Sequence, residues 1–260
     1  MDHAKLVFEH VSKAYVTAKG GKPTLAVQDF SLVVPRNSFV CLLGPSGCGK
    51  STLLNMAAGF IKPTSGTILI DGKPITRPGA DRGVVFQEYA LFPWYTVLEN
   101  VELGPAARGI PARERRELAE RFLAMVGLLE HRYKYPRELS GGMKQRVAIA
   151  RTLANDPEII LMDEPFGALD AQTREALQDQ LLDIWESTRK TVLFVTHSIK
   201  EAVILADTIA ILAANPGRLI QVIHNNLPRP RSRSAHDVVD LERRIYESRY
   251  LEPEPAAALP

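Results

Sequence analysis

The chain has 260 residues, 45% of them hydrophobic and 24% charged, with a formal net charge of +2. That length fits one large domain or two small ones around a substantial core, and the near balance of charge supplies no field that calls for nucleic acid as a partner. No apolar run approaches the roughly 20 residues needed to cross a bilayer. Met1-Asp2-His3-Ala4-Lys5 leads into a strand-like segment and not into the apolar stretch of a leader peptide. The expectation is a cytosolic protein, held at a membrane only through a partner. Its two cysteines, Cys41 and Cys48, fit a reducing compartment and are expected in neither a disulfide nor a metal site.

Residues 4–34 carry short apolar runs, Leu6-Val7-Phe8 and Phe30-Ser31-Leu32-Val33-Val34, broken by Gly20-Gly21-Lys22-Pro23. This pattern predicts an antiparallel β region. Phe39-Val40-Cys41-Leu42-Leu43 then reads as a buried strand. It runs into Gly44-Pro45-Ser46-Gly47-Cys48-Gly49-Lys50-Ser51-Thr52 and on into a helix. Strand, glycine-rich turn and helix at the spacing G-x-x-x-x-G-K-[ST] make a phosphate-binding loop. Glycines let successive N–H groups converge on one anion, and the helix N-terminus adds its partial positive charge. Lys50 suits the β- and γ-phosphates, and the Ser51 hydroxyl suits Mg²⁺.

Gly66 to Gly72 reads as a strand ending in an Asp-Gly turn, and Val84-Val85-Phe86 as another strand. From about Thr96 to Asn155 the period becomes helical. Leu118, Phe122, Met125 and Val126 share one face, and Gly127 sits at a C-terminal cap position. Leu139-Ser140-Gly141-Gly142-Met143-Lys144-Gln145 opens a further helix. Its hydroxyl and paired glycines read either as a plain N-cap or as a second anion site, and the residues alone leave both open. Ile160-Leu161-Met162-Asp163-Glu164 is an apolar strand ending in two carboxylates. Asp163 suits Mg²⁺ opposite Ser51, and Glu164 is placed to take a proton from an attacking water. Alternation then resumes: a helix from Thr173 to Arg189, a strand Val192–Thr196, a helix through Ala202 and Leu205, and a strand Thr208–Leu212. Strands alternating with helices predict a mostly parallel sheet. Beyond it, Leu227-Pro228-Arg229-Pro230-Arg231-Ser232-Arg233 reads as an extended, solvated linker, Asp237 to Tyr250 as an amphipathic helix, and 252–260 as a frayed end.

Taken together, these segments resemble the ATP-binding cassette (ABC) family, the ATPase subunits of ABC transporters. The resemblance covers about residues 5–225 and its motifs stand in the family's order: 44–52, Gln87, Leu139–Gln145, Asp163-Glu164, Ala168-Leu169-Asp170 and His197. It implies an α/β P-loop NTPase with a mostly parallel core sheet, an N-terminal antiparallel β region and a helical subdomain inserted at about 96–155. Residues 226–260 would be a C-terminal extension. It implies ATP and Mg²⁺ as cofactors and a homodimer that sandwiches two ATP molecules. Each ATP would meet the P-loop of one subunit and Ser140, Gly141 and Gly142 of the other. Gln87 would approach Mg²⁺ and the attacking water, His197 the γ-phosphate, Tyr15 the adenine, and Asp170 the dimer interface.

Met143 stands where the family's commonest signature has Gln. That form, with Gly79 to Gln87, Pro93-Trp94, Asn215-Pro216-Gly217-Arg218 and the 227–231 tail, is similar to importer ATPases for nitrate, sulfonate or taurine. The resemblance therefore implies integral-membrane permease subunits, an external solute-binding protein and a peripheral place at the cytoplasmic face. Tyr89-Ala90-Leu91-Phe92-Pro93-Trp94-Tyr95 would receive a short cytoplasmic helix of the permease. A non-transport member acting on ribosomes or DNA fits less well, because the chain has one cassette, no heptad run and little net charge. A kinase or GTPase leaves Ser140-Gly141-Gly142 without a role.

Overall fold

The computed structural model describes residues 4–16 and 23–250, the side chains of 249 and 250 excepted. The expected turn at 20–22, His3 and the segment 252–260 lie outside the described residues. Strand β1 (Ala4–Tyr15) pairs antiparallel with β2 (Thr24–Pro35) on one edge. On the other edge it pairs with β4 (Ser65–Ile70), which turns through Asp71-Gly72 into the two-residue β5 (Lys73–Pro74). Asp71 and Gly72 both adopt positive φ, 50° and 73°, as a two-residue hairpin turn requires. The sheet buries one face, with Leu6, Phe8 and Val11 against Phe30, Leu32 and Val34, so its strands alternate in hydropathy.

The second sheet has six strands in the order β10-β9-β3-β8-β7-β6. Here β3 is Phe39–Leu43, β6 Arg82–Val85, β7 Ile159–Asp163, β8 Thr191–Thr196 and β9 Thr208–Ala213, all parallel to their neighbours. Strand β10 (Arg218–His224) closes the edge antiparallel to β9. Every residue of β3, β8 and β9 is buried, which is why these strands read as continuous apolar runs. The pleat splits β3 between two cores. Phe39, Cys41 and Leu43 face the helical side of the molecule, while Val40 and Leu42 face helix α1 (Lys50–Ala58) and the antiparallel sheet.

Helices α2 (Val97–Ala107), α3 (Ala112–Met125) and α4 (Gly141–Ala154) pack on one another; α4 leans on α5 (Ala171–Thr188) and β6, and α3 meets α5 where Gln180 Nε2 donates to the Met125 carbonyl at 3.5 Å. The α4–α5 approach is close because position 142 has no side chain: a Cβ there would stand 2.7 Å from the Thr173 methyl. Helix α5 begins at Ala171, two residues earlier than its apolar register suggests, because the Asp170 carboxylate accepts the Thr173 N–H at 2.9 Å. No helix among the described residues is long and apolar enough to cross a membrane.

The expectation of a solvated arginine linker is corrected. Arg231 is buried, and its guanidinium donates to the carbonyls of Val203, Ile204, Ala206, Asn225 and Leu227 at 2.8–3.3 Å. It thereby caps helix α6 (Ile199–Leu205), whose last carbonyls have no partner within the helix. Arg229 pairs with Asp207 and covers the Trp185 ring at 4.7 Å. Arg233 binds Asp179 of α5 at 2.7 Å. Helix α7 (His236–Tyr250) follows and buries Val238, Leu241 and Ile245 against α6. Periodicity shows which residues are apolar, but it cannot show that backbone carbonyls elsewhere in the chain await a cation. Burial pulls the Arg231 guanidinium down, to about 10, with nearby Arg229 adding to this and Asp207 opposing it. It therefore stays charged at neutral pH. Arg231→Met keeps the volume but removes the guanidinium from five carbonyls, of which Val203 and Ala206 keep a second donor in the Asn225 amide. It is expected to lower unfolding stability by about 2–4 kcal/mol in urea titration.

Candidate active site

The strands β3, β7 and β8 end side by side, and each delivers functional groups at its carboxyl end. After β3 the loop 44–49 turns into α1 at Gly49, whose φ of +88° is a conformation other residues adopt only with strain. Gly44 and Cys48 are buried, Pro45 and Gly49 half-buried, and Ser46, Gly47 and Ser51 exposed, with Thr52 half-buried behind them. The loop thus presents its middle to solvent. Lys50 is 4% exposed; its ammonium donates to the carbonyls of Gly44 and Pro45 at 2.9 Å each and stands 3.7 Å from Glu164 Oε1.

Ser51 Oγ donates to Asp163 Oδ1 at 2.9 Å. Burial pushes the Asp163 carboxyl up; the Ser51 hydrogen bond pulls it back, neighbouring Glu164 raises it and Lys50 lowers it. A half-buried carboxylate beside a hydroxyl is a hard oxygen donor pair, and a divalent cation there would offset the cost of keeping the carboxylate ionised. The donor set therefore fits Mg²⁺. Glu164 sits at φ 42°, a left-handed conformation uncommon outside glycine, with its N–H held by the Val195 carbonyl at 3.0 Å. Such strain recurs at functional positions. The turn aims the carboxylate between the Lys50 ammonium, which meets Oε1, and the His197 imidazole, whose Nδ1 meets Oε2 at 2.9 Å.

The structure thus brings Lys50, Ser51, Asp163, Glu164 and His197 together. Gln87 is exposed on the turn after β6, where its amide nitrogen would lie 3.3 Å from a Cβ at Gly167. It therefore flanks the Glu164–Gly167 turn. Tyr15 ends β1 with its ring 44% exposed and the Lys13 ammonium 5.3 Å from its centroid. Ser140, Gly141 and Gly142 form a separate cluster at the start of α4. Ser140 Oγ accepts the Met143 N–H at 3.3 Å, so it is an N-cap in this chain, yet it remains exposed. Gly141 lies under the Tyr89 hydroxyl and Leu169, and Gly142 against Thr173.

Three residues that hold these parts were not anticipated. Asn100, fully buried on α2, accepts the Phe92 N–H and donates to the carbonyls of Phe92, Tyr95 and Thr96 at 2.9–3.1 Å. It fixes the aromatic loop and leaves Trp94 66% exposed. Arg151 of α4 donates to the carbonyls of Tyr89 and Ala90, both at positive φ. Glu201 of α6 is buried beneath His197 and accepts the Thr196 hydroxyl; burial pushes its carboxyl up while Thr196 and Arg174 pull it back. The spacing Ser198-x-x-Glu201 was a legible capping pattern. The Ser198 half of it forms, with Oγ accepting the Glu201 N–H, but the Glu201 carboxylate turns to Thr196 instead.

The family model described as ABC transporter matches residues 27–167. An ABC transporter ATP-binding protein of Methanocaldococcus jannaschii, named as uncharacterized, is 52% identical over 93% of this chain and 90% of its own length. The nitrate import ATP-binding protein NrtD of Synechococcus elongatus is 49% identical over 88% of this chain and 84% of its own. The bicarbonate transport ATP-binding protein CmpD of Synechocystis is 48% identical over 95% of this chain and 89% of its own. Among solved structures, the dimeric bacterial ABC transporter cassette MJ0796 superposes with a TM-score of 0.75 at 35% identity, over 86% of this chain and 100% of that one. With the P-loop, the paired carboxylates and the α4 glycines in one fold, the chain belongs to the ABC transporter family, as an ATP-binding and ATP-hydrolysing subunit.

Proposed function

We propose that this subunit drives a membrane importer for a small anion, working as a homodimer at the cytoplasmic face of the membrane. The carrying observation is the division of anion-binding features into two clusters. Lys50 and Ser51 meet Asp163, Glu164 and His197, whereas Ser140–Gly142 open α4 on the helical block. A dimer in which the α4 start of one copy covers the phosphates held by the other uses both. The dimeric arrangement of the MJ0796 cassette supports this reading.

In this reading ATP lies with its phosphates along 44–52 and its adenine at Tyr15. Lys50 leaves the Gly44 and Pro45 carbonyls for the β- and γ-phosphates. Ser51 and Asp163 would hold Mg²⁺, with Gln87 a further candidate ligand, and the ion supplies neutralisation of phosphate charge. Glu164 orients the attacking water and accepts its proton. With Nδ1 engaged by Glu164, His197 has Nε2 left for the γ-phosphate. Ser140, Gly141 and Gly142 complete the cage from the partner, so hydrolysis waits on closure of the dimer.

Relatives named for nitrate and bicarbonate support this cargo class. Both are small oxyanions, and sulfonates and taurine share that chemistry at one end. Selection of the solute falls to the permease and to an external solute-binding protein. The loop held by Asn100, with Trp94 projecting, is the surface for a permease helix, since exposed aromatics on a fixed backbone anchor interfaces.

Glu164→Gln is expected to retain ATP binding, to hydrolyse it about 10²-fold more slowly, and to dimerise in ATP by light scattering. Turnover close to that of the unaltered chain would reject Glu164 as the base, and a monomer in saturating ATP would reject the shared cage. Trp94→Ala is expected to weaken capture by the permease by about 2 kcal/mol, the scale of an interfacial hot spot. Pull-down from detergent-solubilised membranes reads this directly, and undiminished capture removes Trp94 from the interface.

A further inference from the structure

The residues on either side of His197 hang on one buried carboxylate. Glu201 Oε2 accepts the Thr196 hydroxyl, whose oxygen in turn accepts the Ser198 N–H at 3.0 Å. The Glu201 N–H donates to Ser198 Oγ at 3.3 Å. Thr196 and Glu201 are 2% and 6% exposed. A cavity of about 40 Å³ lies between Glu164, Arg174, His197 and Glu201, room for about one water. The imidazole is therefore not wedged by packing, and its aim depends on the Glu164 hydrogen bond and on the turn that carries it.

The other oxygen of Glu201 leads to the C-terminal segment. Gln178 Nε2 of α5 donates to Glu201 Oε1 at 3.3 Å, and Gln178 Oε1 accepts Arg233 at 3.3 Å. Arg233 is anchored by Asp179 at 2.7 Å and by the Glu175 carbonyl at 3.3 Å. A guanidinium only donates. Arg233 therefore fixes the Gln178 amide with its oxygen outward and its NH₂ toward Glu201. Freed from Arg233, that amide loses its outer anchor, and the side chain that donates to Glu201 Oε1 is no longer held in place from both ends.

We propose that Glu201 is a positioning residue for His197, and that Arg233 sets it through Gln178, so that docking of the C-terminal segment tunes the rate of ATP hydrolysis. This rests on the reading of His197 as a γ-phosphate contact. The segment's arginines then do more than fasten it: release of Arg233 slows turnover without emptying the nucleotide site.

The test is a set of double-mutant cycles on the full chain, read as steady-state kcat and as KM for Mg-ATP. Arg233→Met is expected to lower kcat by about 3–10-fold and Glu201→Ala by about 10–100-fold, each with KM within about 2-fold, as for groups that act only in the transition state. Arg233→Lys, which keeps a donor facing Gln178, is expected to restore most of the rate. In a His197→Ala background, Glu201→Ala and Arg233→Met should each cost less than about 2-fold more, because their effect passes through the imidazole. Losses that multiply in that background, or an Arg233→Met chain with unaltered kcat, overturn the relay while leaving His197 in its role. Undiminished turnover by His197→Ala overturns the reading of His197, and the positioning role with it. Because Arg233 lies at the periphery, its arm of the cycle stands even if Glu201→Ala misfolds.

Discussion

One ammonium and two carboxylates meet at the carboxyl ends of β3 and β7, the parallel strands on either side of β8. Lys50 is almost wholly buried, and its charge is tolerated because two loop carbonyls and Glu164 surround it. Asp163 and Glu164 are consecutive, so they would repel each other at close quarters. Ser51 engages the first, and Lys50 with His197 engages the second. The left-handed turn at Glu164 separates the two side chains, pointing one at the start of α1 and the other at β8. The parallel register that brings Leu43 beside Thr196 and Asp163 beside Val195 fixes this arrangement. Phosphate chemistry at this edge depends on that register, and so does the placing of His197.

The helical block answers to a different constraint. It touches α5 at Gly142 and through the Gln180 amide on the Met125 carbonyl, and it grips the loop after Gln87 through Arg151 of α4. Asn100 holds the next part of the same loop from α2. One stretch of chain, 87–96, thus runs from beside the Glu164–Gly167 turn to the block bearing Ser140.

Much of this was legible in the sequence because it is local. The phosphate loop, the carboxylate pair and the capped start of α4 each occupy fewer than ten consecutive residues, and their spacing dictates their shape. The parallel strands were legible because burial on both faces leaves them uniformly apolar. Strand β10 was not read because its apolar residues come in adjacent pairs, Leu219-Ile220 and Val222-Ile223, instead of alternating or forming one continuous run. Asn100, Arg151, Glu201 and Arg231 escaped for another reason. Each serves backbone or side-chain groups distant in the chain or on the far side of a turn, and nothing in a polar residue's neighbourhood announces a carbonyl that will arrive later. The arginines at 229, 231 and 233 looked like a solvated run because charge without carboxylates nearby usually is one.

The capping of α6 by Arg231 also bears on where this protein ends. Trimming the polypeptide after the last strand, at about residue 225, would look harmless on a diagram of the sheet. It would instead take the Arg231 donors from the carbonyls of Val203, Ile204 and Ala206, leaving the Asn225 amide to serve the first and last of them and nothing in its place at Ile204, and uncover the apolar patch that Val238, Leu241 and Ile245 shield. The smallest autonomous unit of this chain therefore extends through the terminal helix, and affinity handles belong beyond it.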